Sequence, residues 1–153
     1  MIIDRYKGRP WNPPVYDCFE LIRDFFKDNR IHEIPPYAKP DHWWEDGTLD
    51  LYMDNFEREG FQVVDEPVSE WRPGDVILMA VGTKVACHGA ILLPDNTILH
   101  HFIDRISCAE PYRPLYRNMT VGTLRHPNCP DYREEGKVTL DEIRRRSAVG
   151  VPD

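Results

Sequence analysis

Residues 85–102 read Val-Ala-Cys-His-Gly-Ala-Ile-Leu-Leu-Pro-Asp-Asn-Thr-Ile-Leu-His-His-Phe, two apolar runs separated by Pro94, Asp95 and Asn96. Short Ile/Leu-rich runs bounded by a Pro-Asp-Asn turn predict two antiparallel strands rather than a helix. If residues 94–96 form the loop, Leu93 opposes Thr97, Ala90 opposes His100 and His88 opposes Phe102. Side chains alternate across a strand, so His88, Ala90 and Leu92 share a face with Ile98, His100 and Phe102, and His100 lies diagonally beside His88. A two-residue loop slips the register by one and puts His101 there instead. Hairpin geometry alone leaves both arrangements open.

Outward from this hairpin, similar runs at 61–64, 75–81 and 119–125 extend the sheet as an antiparallel meander, while the chain before residue 61 is helical. Asp17 can cap a helix on which Cys18, Leu21, Ile22 and Phe25 form one face, ending near Asn29. Thr48 is placed to cap a second, with Leu49, Tyr52, Met53 and Phe56 on a stripe and Gly60 as its stop. Prolines shape the approaches: Pro10, Pro13 and Pro14 before the first helix, and Pro35, Pro36 and Pro40 after it. Helices followed by strands predict an α+β fold, with the N-terminal helices packed on one face of an antiparallel sheet. Beyond His126 the pattern fades. Residues 1–126 are therefore read as the domain. Residues 127–153, with Arg144-Arg145-Arg146 and room for a short helix at 139–147, are read as a C-terminal tail or docking arm.

A chain of 153 residues accommodates one domain of ordinary size. Its 19 basic and 26 acidic side chains leave a formal charge of −7, which argues against a nucleic-acid partner. No run of about 18 apolar residues predicts a membrane span, and the charged start Met1-Ile-Ile-Asp-Arg-Tyr does not read as a signal peptide. The 14 prolines, roughly twice the usual share, predict many fixed turns. Cys18, Cys87, Cys108 and Cys129 form no Cys-x-x-Cys pair, so zinc-ribbon and thioredoxin chemistry lack their motif.

Cys18 is the residue best placed for chemistry. A thiol attacks as thiolate, and the unpaired N–H groups of a first helical turn stabilise that anion. The competing reading is a small buried residue that completes the apolar stripe. A nucleophile also needs an imidazole base and a group that orients it, and His88 with His100 or His101 can supply both. Cys87, His88, His100 and His101 make a poor zinc set, because adjacent strand residues point to opposite faces. No metal or other cofactor is expected. Cys87 and Cys108 are read as small buried residues, and Cys129 as exposed.

Tyr16-Asp-Cys-Phe-Glu-Leu-Ile-Arg-Asp-Phe25, Trp71-Arg-Pro-Gly-Asp-Val-Ile-Leu-Met79, Cys87-His-Gly-Ala-Ile-Leu-Leu-Pro-Asp-Asn96 and Ile98-Leu-His-His101 together resemble the NlpC-type papain-like cell-wall cysteine peptidases, in order and spacing, over about residues 8–126. Trp43-Trp44-Glu45, Asp54-Asn-Phe-Glu57, Gly60-Phe61, the His-His pair and Thr123-Leu-Arg-His126 further resemble the peptidase domain of lambda-type phage tail tip assembly proteins. The resemblance implies Cys18 as nucleophile and His88 as base. It also implies His100 as orienter, because the family places that residue twelve positions after the base, and His101 is then a bystander.

Two departures concern the substrate. Phe19 and Glu20 stand where many relatives carry Ser-Gly after the nucleophile. By alignment on Gly8-Arg-Pro-Trp11, Trp11 stands where the family often has a tyrosine near the oxyanion site. Asp17 matches an acidic residue that holds the substrate's amino end in relatives. The resemblance thus implies a phage tail-associated cysteine peptidase that hydrolyses peptidoglycan stem peptides by a Cys-His-His triad. Its implied partners are tail tip or hub proteins, and its implied place is the virion tail, after synthesis in the host cytoplasm. The alternative is a tail tip assembly protein that retains the peptidase fold without using it.

Overall fold

The computed structural model describes residues 1–149 apart from 41, 46 and 135–139. Six strands form one antiparallel sheet in the order β1-β6-β2-β3-β4-β5. They are β1 (Gln62–Val63), β2 (Val76–Met79), β3 (His88–Leu93), β4 (Thr97–His100), β5 (Cys108–Pro111) and β6 (Thr120–Arg125). The β3–β4 hairpin takes the three-residue loop: Leu93 pairs with Thr97 and Ala90 with His100. Asp95 and Asn96 both adopt left-handed backbone, φ 61° and 56°, a conformation that Asp and Asn tolerate better than most residues. The turn chemistry therefore sets the register.

The α+β architecture is as expected, but the meander is interrupted. After β5, helix α3 (Pro114–Met119) carries the chain back across the sheet, so that β6 inserts between β1 and β2. Neither β5 nor α3 is legible in the sequence. β5 is a four-residue edge strand, Cys-Ala-Glu-Pro, whose charge and proline suit an unpaired edge and hide any alternation.

Helix α1 (Cys18–Asp28) starts where predicted. The Asp17 carboxylate accepts the Glu20 N–H, and Leu21, Ile22, Phe25 and Phe26 are buried. Helix α2 (Leu51–Arg58) begins later than predicted: Asp50, not Thr48, accepts the Met53 N–H, and Leu49 lies outside the helix and exposed. Gly60, φ 87°, ends it as expected. Both helices cover one face of the sheet, against Val76, Leu78, Ile91 and Leu99. The other face, bearing Ile77, Met79, Ala90, Leu92 and Ile98, is covered by Tyr112 and Tyr116. β2 and β3 are thus buried on both sides, which explains their continuous apolar runs.

Packing continues past His126. Cys129 is half-buried rather than exposed and Tyr132 is buried. A Cβ at Gly74, where φ is 97°, would lie 2.5 Å from Cys129 Sγ. Helix α4 (Leu140–Val149) accounts for the predicted short helix except residue 139, which lies outside the described residues, as do 135–138 and 150–153. Arg144 and Arg145 are exposed on α4.

Candidate active site

Helix α1 meets β3 at Gly89. A Cβ there would lie 2.7 Å from Ile22 Cδ1 and 3.3 Å from Tyr52 Cε1, so only glycine allows the first turns of α1 to approach the strand this closely. The Gly89 N–H bonds the Cys18 sulfur, and Cys18 and His88 both line one cavity of about 460 Å³. Gly89→Ala is expected to destabilise the fold by about 1–3 kcal/mol through overpacking. Thermal denaturation, with the alkylation rate of Cys18 as the local readout, checks it.

The Cys18 sulfur is buried and lies 2.6 Å from the Tyr52 hydroxyl. Burial, reinforced by the Asp17 charge, pushes the thiol up to about 11, against the hydrogen bonds from Tyr52 and the Gly89 N–H. Burial also holds His88 well below the ordinary imidazole range, with His100 and His101 adding to the effect. Both ions, thiolate and imidazolium, are disfavoured at rest, and the two donors at the sulfur oppose that for the thiolate.

His88 Nε2 lies 2.8 Å from His100 Nδ1, and His100 Nε2 lies 2.9 Å from Glu110 Oε2. The His100 contact engages Nε2 of His88 and leaves Nδ1 as the ring nitrogen available to a thiol. Glu110 collects further donors: Cys108 Sγ at 3.2 Å, the Tyr116 hydroxyl at 3.0 Å and the Arg113 guanidinium. Partial burial pushes its carboxyl up, but the hydrogen bonds from His100, Cys108 and Tyr116 outweigh that and hold it at about 2. Cys108 is therefore not simply a small apolar residue: its thiol is tied to the carboxylate beside His100. His101, also buried, donates from Nε2 to the Arg105 carbonyl at 2.9 Å and stacks edge-on against Trp11 at 5.2 Å.

Among the described residues, the group of His, Cys and acidic side chains able to converge on an ion is His100, Cys108 and Glu110, with ligand atoms within 4.8 Å of one another. Those atoms are joined by the hydrogen bonds just given. The weaker set weighed from sequence does not assemble: the Cys87 sulfur accepts from the Val81 N–H and the Thr83 hydroxyl, 3.4 Å each, away from His101.

Trp11 and Asp17 also line the cavity, with Lys39, Trp43, Trp44 and Phe102. The Asp17 carboxylate is engaged twice, by the Glu20 N–H at 2.9 Å and the Lys39 ammonium at 2.7 Å. The hydroxyl at the sulfur is that of Tyr52, which the helical stripe places inward without revealing that its oxygen meets Cys18. Lys39 carried no signal in its proline-rich segment. Glu110 is invisible without β5.

Comparison with known proteins follows the same lines. The NlpC/P60 family profile matches residues 5–125. Tail tip assembly protein K of Escherichia phage lambda is 37% identical over 119 residues, 78% of this chain and 58% of that protein. Tail tip assembly protein K of Escherichia phage N15 is 30% identical over 119 residues, 77% of this chain and 48% of that protein. The chain thus spans about half the length of the curated relatives it matches. A crystal structure of an NLP/P60-family, lipoprotein-like protein from Staphylococcus aureus shares the fold, with a TM-score of 0.53 and 22% identity over 79% of this chain and 37% of that one.

Proposed function

This chain belongs to the NlpC/P60 family, and from that premise we propose that it is a phage tail-associated cysteine peptidase that hydrolyses peptide bonds in peptidoglycan stem peptides. The observation that carries the reading is that a helix-capped thiol, Cys18, and an imidazole, His88, line one cavity, with His88 Nε2 in hydrogen-bond contact with His100.

In this reading Cys18 Sγ attacks the scissile carbonyl carbon as its proton passes to His88 Nδ1. The protonated His88 then returns that proton to the leaving amine, and a thioester remains on Cys18. Water, deprotonated by His88, attacks the thioester carbonyl and frees the acid product and the thiol. His100 fixes the imidazole of His88, and the Tyr52 hydroxyl together with helix-start N–H groups stabilises the charge that develops at sulfur and oxygen. Asp17 and Trp11 bind substrate. With Lys39 already on its carboxylate, Asp17 presents a paired charge to the cavity, which favours a peptide whose amino end is not free.

The peptidase domain is residues 1–126, and residues 127–153, rooted on it through Cys129 and Tyr132, are the arm that meets tail tip or hub proteins. Among the described residues no helix is long and apolar enough to cross a membrane. A second reading, an assembly protein with a latent site, is favoured by the relatives' names, tail tip assembly protein K, and by the burial that keeps Cys18 a thiol.

Incubation of the protein with defined cross-linked and linear muropeptides, followed by mass spectrometry, decides between them. The peptidase reading expects two products that together exceed the substrate by one water, and their loss after alkylation of Cys18. Intact muropeptides, under conditions where another family peptidase cleaves them, overturn it in favour of the second reading.

A further inference from the structure

The hydrogen bonds behind His88 do not stop at His100. Glu110, on the edge strand β5, accepts on each oxygen: His100 and Cys108 meet Oε2, and Arg113 and Tyr116 meet Oε1. A carboxylate held ionised offers no proton, so His100 Nε2 must be the donor and His100 Nδ1 the acceptor. His88 Nε2, 2.8 Å from that acceptor, must then carry its own proton, which leaves His88 Nδ1 unprotonated. We propose that Glu110 is a positioning residue that sets the tautomers of both histidines through this chain of bonds and so keeps His88 Nδ1 basic. The proposal rests on the reading of Cys18 and His88 as nucleophile and base.

Glu110→Gln tests it because the glutamine amide has only one orientation that fits. Arg113 cannot accept a hydrogen bond, so the amide oxygen must face Arg113 and Tyr116 and the NH₂ must face His100 and Cys108. His100 Nε2 is then forced to accept and its proton moves to Nδ1. His88 Nε2 must accept in turn, and its proton moves to Nδ1, the position the base needs empty. An isosteric change of one atom thereby reverses both rings.

The first measurement is made on the wild-type chain, labelled with ¹⁵N-histidine, by long-range proton–nitrogen NMR. Protons on Nε2 of both His88 and His100 are expected, and a proton on Nδ1 of His100 overturns the proposal without any variant. In Glu110→Gln both protons are expected on Nδ1, with kcat on muropeptide lowered by about 10²-fold or more, within the range that general acid–base catalysis contributes, and KM nearly unchanged. The residual activity should keep its acid limb to lower pH than the wild type, since an anion that favours imidazolium is gone. The other groups facing the pair, Arg105, Arg113, His101, Cys108 and Tyr116, remain. Unchanged tautomers, or switched tautomers with unchanged kcat, overturn the role of Glu110. A wild-type chain that cleaves nothing refutes the peptidase reading, while the tautomer spectra still decide the positioning role.

Discussion

Cys18→Ala is expected to abolish muropeptide cleavage, with a loss on the order of 10⁴–10⁶-fold in kcat, because Cys87, the other described thiol on the cavity, is tied to the Val81 N–H and the Thr83 hydroxyl and has no helix start behind it, and the remaining donors and pocket supply only residual catalysis. The fold should survive. The side chain is small, and the main cost is the Tyr52 hydroxyl, which loses its partner in a buried site, about 1–3 kcal/mol. For a chain of this size that lowers the melting temperature by roughly 2–12 °C, which leaves a folded protein at ordinary assay temperatures. Cys18→Ser keeps a partner for Tyr52 and should melt closer to wild type, yet remain inactive, since a serine hydroxyl beside a buried imidazole is a far weaker nucleophile than a thiol. Product release, melting temperature and far-ultraviolet dichroism of both variants check the expectation. A Cys18→Ala chain that still cleaves at the wild-type rate would remove Cys18 from the mechanism.

What makes this site legible in the sequence is local chemistry. Asp17 before an apolar stripe announces the helix that presents Cys18, and Pro94-Asp95-Asn96 announces a hairpin turn, while the loop length, and with it His100 over His101, is chosen from sequence by the family resemblance alone. Two residues that accept left-handed backbone, Asp95 and Asn96, determine which histidine backs His88. The rest of the site depends on long-range packing. Tyr52 sits 34 residues from Cys18, and only the close contact of helix and strand at Gly89 reveals that a phenol counted among apolar residues ends at the sulfur. Glu110 lies on a four-residue edge strand with no periodicity, so nothing in its neighbourhood marks it before the sheet is assembled. The cap of α2 fails for a plainer reason: Thr48 and Asp50 both suit an N-cap, and the backbone selects the later one.

The strongest structural expectation concerns Asp75, buried to 1% exposure at the start of β2. Its carboxylate accepts the Arg72 N–H at 2.8 Å and a two-pronged bond from Arg125 on β6, Nε to Oδ1 and Nη2 to Oδ2, 2.8 Å each. This fork ties β6 to the beginning of β2, the junction created when α3 carries the chain back across the sheet. Arg125→Met removes the cation and leaves a buried carboxylate with one N–H donor of the three bonds it had. Breaking one side of such a pair costs about 3–5 kcal/mol, or roughly 6–20 °C in melting temperature for a chain of this size. Asp75→Asn combined with Arg125→Met should recover part of the loss, since the amide is neutral and no longer an uncompensated charge. Urea denaturation of the single and double variants at neutral pH measures both effects. A single variant within 1 kcal/mol of wild type, as a rough bound on what a surface pair contributes, would mean that the fork is solvated in practice and that β6 is held by its strand pairing alone.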